Sequence, residues 1–437
     1  MLNRFVSFYS NASYTYDDKY VLSGSIRWDR SNLWGTNSKY QNKPLWSVGG
    51  SWNIYKEKFF QADFVDMLKL RASYGIGGNI GRNTAPYLIA SYYDSSLVDG
   101  MAGSVNTPPN KDIRWEKTTT VNVGVDFALF RHRLSGTIEY YNKYSVDLLA
   151  AINGSPTQGF GYTTLMTNNG KMVNQGVEIT LSGEIIRQKD FSWNASLLYA
   201  FNRNKVKHIS VQPSLWDSRI SMPTSYPMVG KPLYGIYAYK WAGLNENGDP
   251  QVYDAENNVT SGPARDYHAL VYCGTTVPIH NASLTNVLRY KGFEFSAMLI
   301  LDAGHKLRSS NIPSINMSNG RITSTAKGIV DRWTQPGDVT DVPRLLFSND
   351  TENFNTHRTE LYRYSDLFVY DASNIRLSNI SLAYRVPAHW CKKISLSGAR
   401  LQFNVENVAT FAFDSKANYD LGGKVKPNYV CGLYLNF

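Results

Sequence analysis

The chain has 437 residues, 43% of them hydrophobic and only 18% charged, with Lys+Arg 45 against Asp+Glu 35 and a net charge of +10. This composition is too apolar for disorder and excludes collagen-like, coiled-coil and disulfide-scaffold classes. Tyr 30 outnumbers Phe 19 and Trp 10 together, which suits rings that are half wet and half buried.

Period-two alternation, the mark of a half-buried strand, runs along the chain. Val6, Phe8, Ala12, Tyr14 and Tyr16 oppose Ser7, Asn11, Ser13 and Thr15, and Asp17-Asp18-Lys19 follows as a tight turn. Leu22, Gly24, Ile26 and Trp28 then oppose Ser23, Ser25 and Arg27. Trp46 to Ile54, Leu68 to Tyr74, Val121 to Leu129 and Leu134 to Tyr141 continue the pattern. So do Val177 to Ser182, Phe191 to Tyr199, 282–290, 293–303, 373–386, 394–405 and 425–437. The spacing predicts about thirteen long strands.

The connections alternate as well. Short ones are expected at 17–20, 55–66, 130–133, 184–190, 291–292 and 387–393, and long ones at 30–44, 75–117, 145–175, 203–281, 304–372 and 406–424. Short turns on one side and long loops on the other are the pattern of an outer-membrane barrel, with short periplasmic turns and long extracellular loops. Soluble sandwiches, propellers and solenoids also alternate, but no fixed repeat period is present. An odd number of strands cannot close an all-antiparallel barrel, so the count leads to the expectation that strands precede Met1. The expected fold is therefore all-β, an antiparallel transmembrane β-barrel segment spanning 1–437.

Several segments, in order, resemble the C-terminal part of SusC/RagA-like TonB-dependent outer-membrane transporters of Bacteroidetes. They are LKLRASYGIGGNIG at 68–81, IRWEKTTTVNVGVDFALFRHRLSGTIEYYNKYSVDLL at 113–149 and TNNGKMVNQGVEITLSG at 167–183. GKPLYGIYAYKWAGLNENGDPQ at 230–251, DRWTQPGDVTDVPR at 331–344 and DASNIRLSNISLAYRVP at 371–387 complete the set. The Asp-Pro-Glu element of the family's last external loop is missing between Phe411 and Lys424. The resemblance implies a barrel of about 22 strands, with signal peptide, TonB box and plug domain upstream of this chain. It implies uptake of an oligosaccharide or peptide, with a SusD-like surface lipoprotein as partner and TonB acting through the missing N-terminal part. On that reading the chain supplies wall and loops and is inactive alone. Leu433, Tyr434, Leu435 and Phe437 resemble the terminal signal read by the barrel-insertion machinery, and outer-membrane lipid is the surrounding phase.

No catalytic constellation is found: no HExxH, no GxSxG and no Walker sequence. Cys273, Cys391 and Cys431 have no metal-ligand or redox spacing, no apolar run reaches transmembrane-helix length, and no nucleic acid is expected because the basic residues are scattered. The glycines of Gly75 to Gly81 are expected in a mobile turn leaving a strand. Asn245-Glu246-Asn247-Gly248-Asp249 reads as an Asn-Gly hairpin turn, with calcium as the other reading of its oxygens. Binding chemistry is assigned to rings and carboxylates in the long loops: Tyr92, Tyr93, Asp94, Trp115, Tyr162, Trp216, Asp217, Tyr253, Asp254 and Tyr267. Flat rings stack on sugars or peptide groups while the carboxylates take hydroxyl and amide hydrogens. Trp333 is read as structural. The competing function is a soluble or surface glycan-binding β protein, and a glycoside hydrolase would need a convergent carboxylate pair.

Overall fold

The computed structural model describes residues 4–32, 35–37, 40, 43–79, 81, 86–96, 100–155, 157, 164–213, 217–262, 266–318, 321–345, 356–393, 395–422 and 426–437. Strands dominate. β1 (Phe5–Tyr16), β2 (Tyr20–Ser31), β3 (Leu45–Asn53) and β4 (Val65–Asn79) come first, and β5 (Ile89–Ser95) with β6 (Gly100–Thr107) forms a separate hairpin. β7 (Glu116–Leu129), β8 (Leu134–Asn153), β9 (Thr164–Arg187) and β10 (Phe191–His208) follow. Next come the short β11 (Gly235–Tyr239), β12 (Trp241–Leu244), β13 (Pro250–Tyr253), β14 (Val259–Thr260) and β15 (Leu270–Thr275). After β16 (His280–Tyr290) and β17 (Phe293–Ala303) are β18 (Lys306–Arg308), β19 (Ile315–Ser318), β20 (Arg321–Thr325) and β21 (Val369–Asp371). β22 (Asn374–Arg385), β23 (Gly398–Ala412) and β24 (Asn428–Asn436) close the chain.

Among the described residues, thirteen strands follow one another in one sheet, in the order β1-β2-β3-β4-β7-β8-β9-β10-β16-β17-β22-β23-β24. The expected strands are all present. No helix among the described residues is long and apolar enough to cross a membrane. By contact density the chain forms two compact units: Met1–Gln212 with Met228–Pro232 and Ala282–Ser296, and Pro213–Pro227 with Leu233–Asn281 and Ala297–Phe437.

The first unit shows why the sequence alternates. Residues opposite each other across antiparallel strands share a face. One row reads Tyr14, Leu22, Gly50, Ala72, Val123, Tyr140, Val177, Phe201 from β1 to β10. The next row reads Ser13, Ser23, Gly49, Ser73, Asn122, Tyr141, Gly176, Asn202 and points the other way. The apolar face is exposed, with Leu22, Val48, Leu70, Val123 and Ile138 all open. The polar face is cross-linked: Arg71 donates to Asp126 (3.1 Å) and to Glu139, and Thr137 Oγ1 donates to Asp126 (2.9 Å). Gly124 lies between Arg71 and Glu139 in the register and leaves room for the guanidinium.

Rings mark both ends of the apolar face. At the short-turn end Tyr16, Tyr20 and Trp52 stack at 6.5 and 6.3 Å. At the long-loop end Phe8, Trp28, Trp46, Tyr74 and Tyr144 are exposed. Tyr20 and Trp28 are 28 − 20 = 8 residues apart on β2, roughly 27 Å of extended chain. The tight turn forms because Asp17 and Asp18 take left-handed φ values of 50° and 51°, which short polar side chains tolerate.

Several expected boundaries are corrected. β8 and β9 run far into the segment assigned to a long loop at 145–175, reaching Asn153 and starting at Thr164. Backbone pairing continues there without the apolar alternation that gave the strands away. β23 likewise extends to Ala412. Gly75, Gly77 and Gly78 are not in a mobile turn but in paired β4. At Gly75 and Gly78 the missing side chain admits a close neighbour: a Cβ on Gly75 would lie 2.7 Å from the Cβ of Ser47 and one on Gly78 2.8 Å from the Trp115 ring. Within the terminal signal, Tyr434 pairs with Arg400 while Leu433 and Leu435 pair with Leu401 and Ala399, so Tyr434 faces away from the two leucines.

Candidate functional site

The family-like motifs become intelligible as joints. Glu116 of Trp-Glu-Lys accepts the Leu149 N–H and an Asn79 side-chain N–H, both at 2.9 Å, tying β7 to β8 and β4. Tyr141 stands opposite Gly176 across β8 and β9, and its ring covers that glycine. A Cβ on Gly176 would sit 2.6 Å from the Tyr141 hydroxyl and 2.3 Å from the Phe201 carbonyl oxygen. Asp338 accepts the N–H and hydroxyl of Thr334 at 2.8 and 2.7 Å. These bonds hold its carboxyl below the usual range, the Thr334 hydroxyl first.

In the second unit the long segments fold into a small soluble-type core. β11 pairs with β15, and β12, β13 and β14 form a three-stranded sheet. Tyr237, Tyr239, Val252, Leu361 and Phe368 are buried there. The Arg308 guanidinium donates to the Tyr237 carbonyl (2.7 Å) and to those of Arg363 and Ser365 (3.3 Å each). Burial lowers its pKa, raises the phenol of Tyr239 and pushes the Cys273 thiol up to about 11. The expected Asn-Gly turn joins β12 to β13. Its Asn245 Oδ1 accepts the N–H groups of Asn247 and Asp249 at 2.9 Å, and the Trp333 ring packs on Gly248, consistent with its structural reading. The Asp249 carboxylate receives Arg344 at 3.1 Å and Arg358 at 2.5 Å. Among the described residues no three His, Cys, Asp or Glu side chains gather as metal ligands.

The sequence-chosen residues do not converge. Tyr92, Tyr93 and Asp94 lie on β5, and both rings are exposed. Trp115 lines a cavity of about 230 Å³ with Trp46 and Ile76. Tyr162 and Trp216 lie outside the described residues. Asp217 precedes the short helix Ser218–Ser221. The Tyr253 ring has the Lys240 ammonium 4.7 Å from its centre, and Asp254 accepts the Asn258 N–H at 2.7 Å in the β13–β14 turn. Tyr267 lies under the Arg219 guanidinium, 5.2 Å away.

Sequence reasoning passed over a second cavity of about 560 Å³ in the second unit, lined by Arg376, Ser378, Asn407, Thr410 and Asn418. It opens where β23 bulges against β22, with Asn407 at a left-handed φ of 54°. Bulges re-aim side chains next to sites. Arg376 is fixed by Asp302 at 2.9 Å. The guanidinium, hydroxyls and amides can hydrogen-bond hydroxyls or peptide groups.

A long antiparallel sheet with an exposed apolar face, ring bands at both ends and a cross-linked polar face defines an outer-membrane β-barrel protein. The comparisons with known proteins agree: residues 3–408 match the family "TonB dependent receptor-like, beta-barrel", and the chain belongs to it. It is 27% identical to TonB-dependent receptor P3 of Formosa agariphila over 98% of this chain and 43% of that protein. It is 25% identical to TonB-dependent receptor SusC of Bacteroides thetaiotaomicron over 93% of this chain and 40% of that one. The structure of the RagAB peptide transporter matches the whole chain with a TM-score of 0.79 at 23% identity, over 48% of that chain. The chain thus spans less than half the length of these relatives. It is an integral outer-membrane protein, and its relatives are receptors and transporters, not enzymes.

Proposed function

We propose that the chain is the wall and loop part of a TonB-energised importer that takes up oligosaccharides or peptides across the outer membrane. The observation that carries this reading is the division of the sheet into an apolar, ring-bounded face and a polar face cross-linked by Arg71, Asp126 and Glu139. One face suits lipid and the other a solute path. A SusD-like surface lipoprotein would close over the loops, and TonB would supply the energy. The cavity at Arg376, Asn407 and Asn418 supports solute contact, because its donors and acceptors are those that hydroxyls and amides need. Tyr92 and Tyr93 would offer stacking surfaces, and Asp94, Asp217, Asp254, Tyr253 and Tyr267 further loop contacts.

The test is uptake of labelled oligosaccharides and short peptides by cells with and without the full-length gene, with and without a protonophore. The expected result is loss of uptake of one solute class on deletion or uncoupling. Uptake indifferent to both treatments would overturn the reading. This chain expressed alone is expected to support no energised uptake.

A further inference from the structure

The cavity of about 230 Å³ beside Trp115 has the wrong orientation for a solute site. It lies where β3 begins, β4 ends and β7 begins, all at the long-loop end of the sheet. The register fixes its face. Trp46 pairs with Ile76, and Lys117 pairs with Gly78, two residues further along the same side of β4. Trp46 and Ile76 therefore share the apolar face with Val48, Tyr74 and Val121, and Lys117 and Trp115 follow by alternation. The cavity sits among the exposed rings Trp28, Trp46, Tyr74 and Tyr144, at the level where the apolar band meets water.

Its walls combine two chemistries. Trp115 packs flat on Gly78, where a Cβ would lie 2.8 Å from the ring, and Leu45, Trp46 and Ile76 continue into the apolar band. The charged groups divide into committed and available. Arg114 is bound to Asp147 at 2.7 Å and lies 4.6 Å from the Tyr40 ring centre. Glu116 is occupied by Leu149 and Asn79. Lys43 and Lys117 have no carboxylate within ion-pair distance among the described residues, and the Lys43 ammonium is 5.4 Å from the Tyr40 ring centre.

A pocket whose lining sets three cations, Lys43, Arg114 and Lys117, against two carboxylates, Glu116 and Asp147, and joins this positive excess to indole surfaces and a hydrocarbon-facing band asks for a ligand that is anionic at one end and apolar at the other. We propose that it binds the phosphorylated headgroup of an outer-leaflet glycolipid. Lys43 and Lys117 take the phosphate as point charges, Trp115 and Trp46 meet the sugar and the first methylenes, and the acyl chains run down the apolar face. The site holds a membrane lipid in place, on the side of the sheet away from the solute path, and Trp115 belongs to it.

The test uses the full-length transporter purified from its own outer membrane in mild non-ionic detergent, with phosphorylated glycolipid that stays bound read by native mass spectrometry. Wild type is expected to carry it. K43Q/K117Q is expected to carry about twenty-five-fold less, since each lysine near a membrane surface adds about one factor of five for anionic lipid. K43R/K117R is expected to keep it, and K69Q, a lysine on the polar face, to match wild type. Equal retention by a K43Q/K117Q protein that shows normal heat-modifiable gel mobility would overturn the proposal. In nanodiscs of phosphatidylcholine, added phosphoglycolipid is expected to bind and to resist millimolar inorganic phosphate. Displacement by inorganic phosphate alone would mean a free-phosphate site and would also overturn it. Lipid retention is read without any transport assay, so this result stands apart from the fate of the uptake reading.

Discussion

β1 and β11 are both runs of aromatic and branched residues, yet every residue of β1 is exposed and every residue of β11 is buried. β1 alternates, and its two faces answer to two surroundings. β11 reads Gly-Ile-Tyr-Ala-Tyr and is enclosed on both sides by protein, with Tyr239 fully covered. Strand-forming chemistry is common to the two; what differs is the phase that removes the side chains from water. The sheet leaves its apolar row to lipid, while the loop segments must bury theirs in a core of their own, as a soluble domain does.

Four substitutions or conditions can break or sharpen that contrast. The largest effect is expected from Gly176→Val, because the new side chain would meet the Phe201 carbonyl and the Tyr141 ring inside the sheet. It should abolish the folded, heat-modifiable form in gels, and normal assembly would show that β9 and β10 are not held as closely as the register implies. Next is Asp249→Ala, which strips the shared carboxylate from Arg344 and Arg358. Removing one partner of a half-buried ion network costs about 3 kcal/mol. The loop core should become roughly a hundredfold more sensitive to protease added to cells, with the sheet's gel mobility unchanged. If sheet and loops failed together, the two regions would not be separate in stability.

Arg71→Ala should cost less. It leaves Asp126 and Glu139 without their guanidinium on a face where the side chains are partly wet, so about 1 kcal/mol is expected after screening. Urea unfolding in bilayers measures it, and an unchanged midpoint would remove the polar network from the account. The smallest effect concerns His305, whose Nδ1 is buried without a partner and whose pKa burial lowers below 6.5. The unfolded imidazole titrates near 6.5 and takes up its proton first, so stability of the loop core should fall as pH drops through that value. The protection factor at Ala372, whose N–H is bonded to the His305 carbonyl, measured by hydrogen exchange relative to the base-catalysed intrinsic rate, should fall a few-fold from pH 7.5 to 5.5, and less in His305→Leu.

The long strands were legible because one face had to be apolar from end to end. The upper parts of β8 and β9 were not, since Leu148 to Ile152 on β8 are apolar on both faces and Thr167 to Asn169 on β9 are polar on both, so neither run alternates while backbone pairing continues. The loop core was illegible for the opposite reason: β11 is buried on both sides and so cannot alternate. The binding candidates were chosen as rings in loops, a rule blind to direction. It could not show that Tyr267 lies beside the Arg219 guanidinium or that Asp254 accepts an N–H within its own turn. Both cavities instead lie beside bulges, at Asp147 and Asn407, which have left-handed φ values of 57° and 54°. That signal was faintly present: Val405 and Val408 are three apart where the strand's period demands two. Asp249 illustrates a further limit, because its partners Arg344 and Arg358 are distant in sequence and only the fold brings them together.

The claim on which everything else rests is that one face of the sheet is in lipid. It is tested most directly by single cysteines along β2 of the full-length protein, with Cys273, Cys391 and Cys431 replaced by serine, labelled with a water-soluble maleimide in membranes. The account predicts labelling in period two, with Ser23, Ser25 and Arg27 positions reactive and Leu22, Gly24 and Ile26 positions silent. Equal labelling at all six positions would place both faces in water and contradict it.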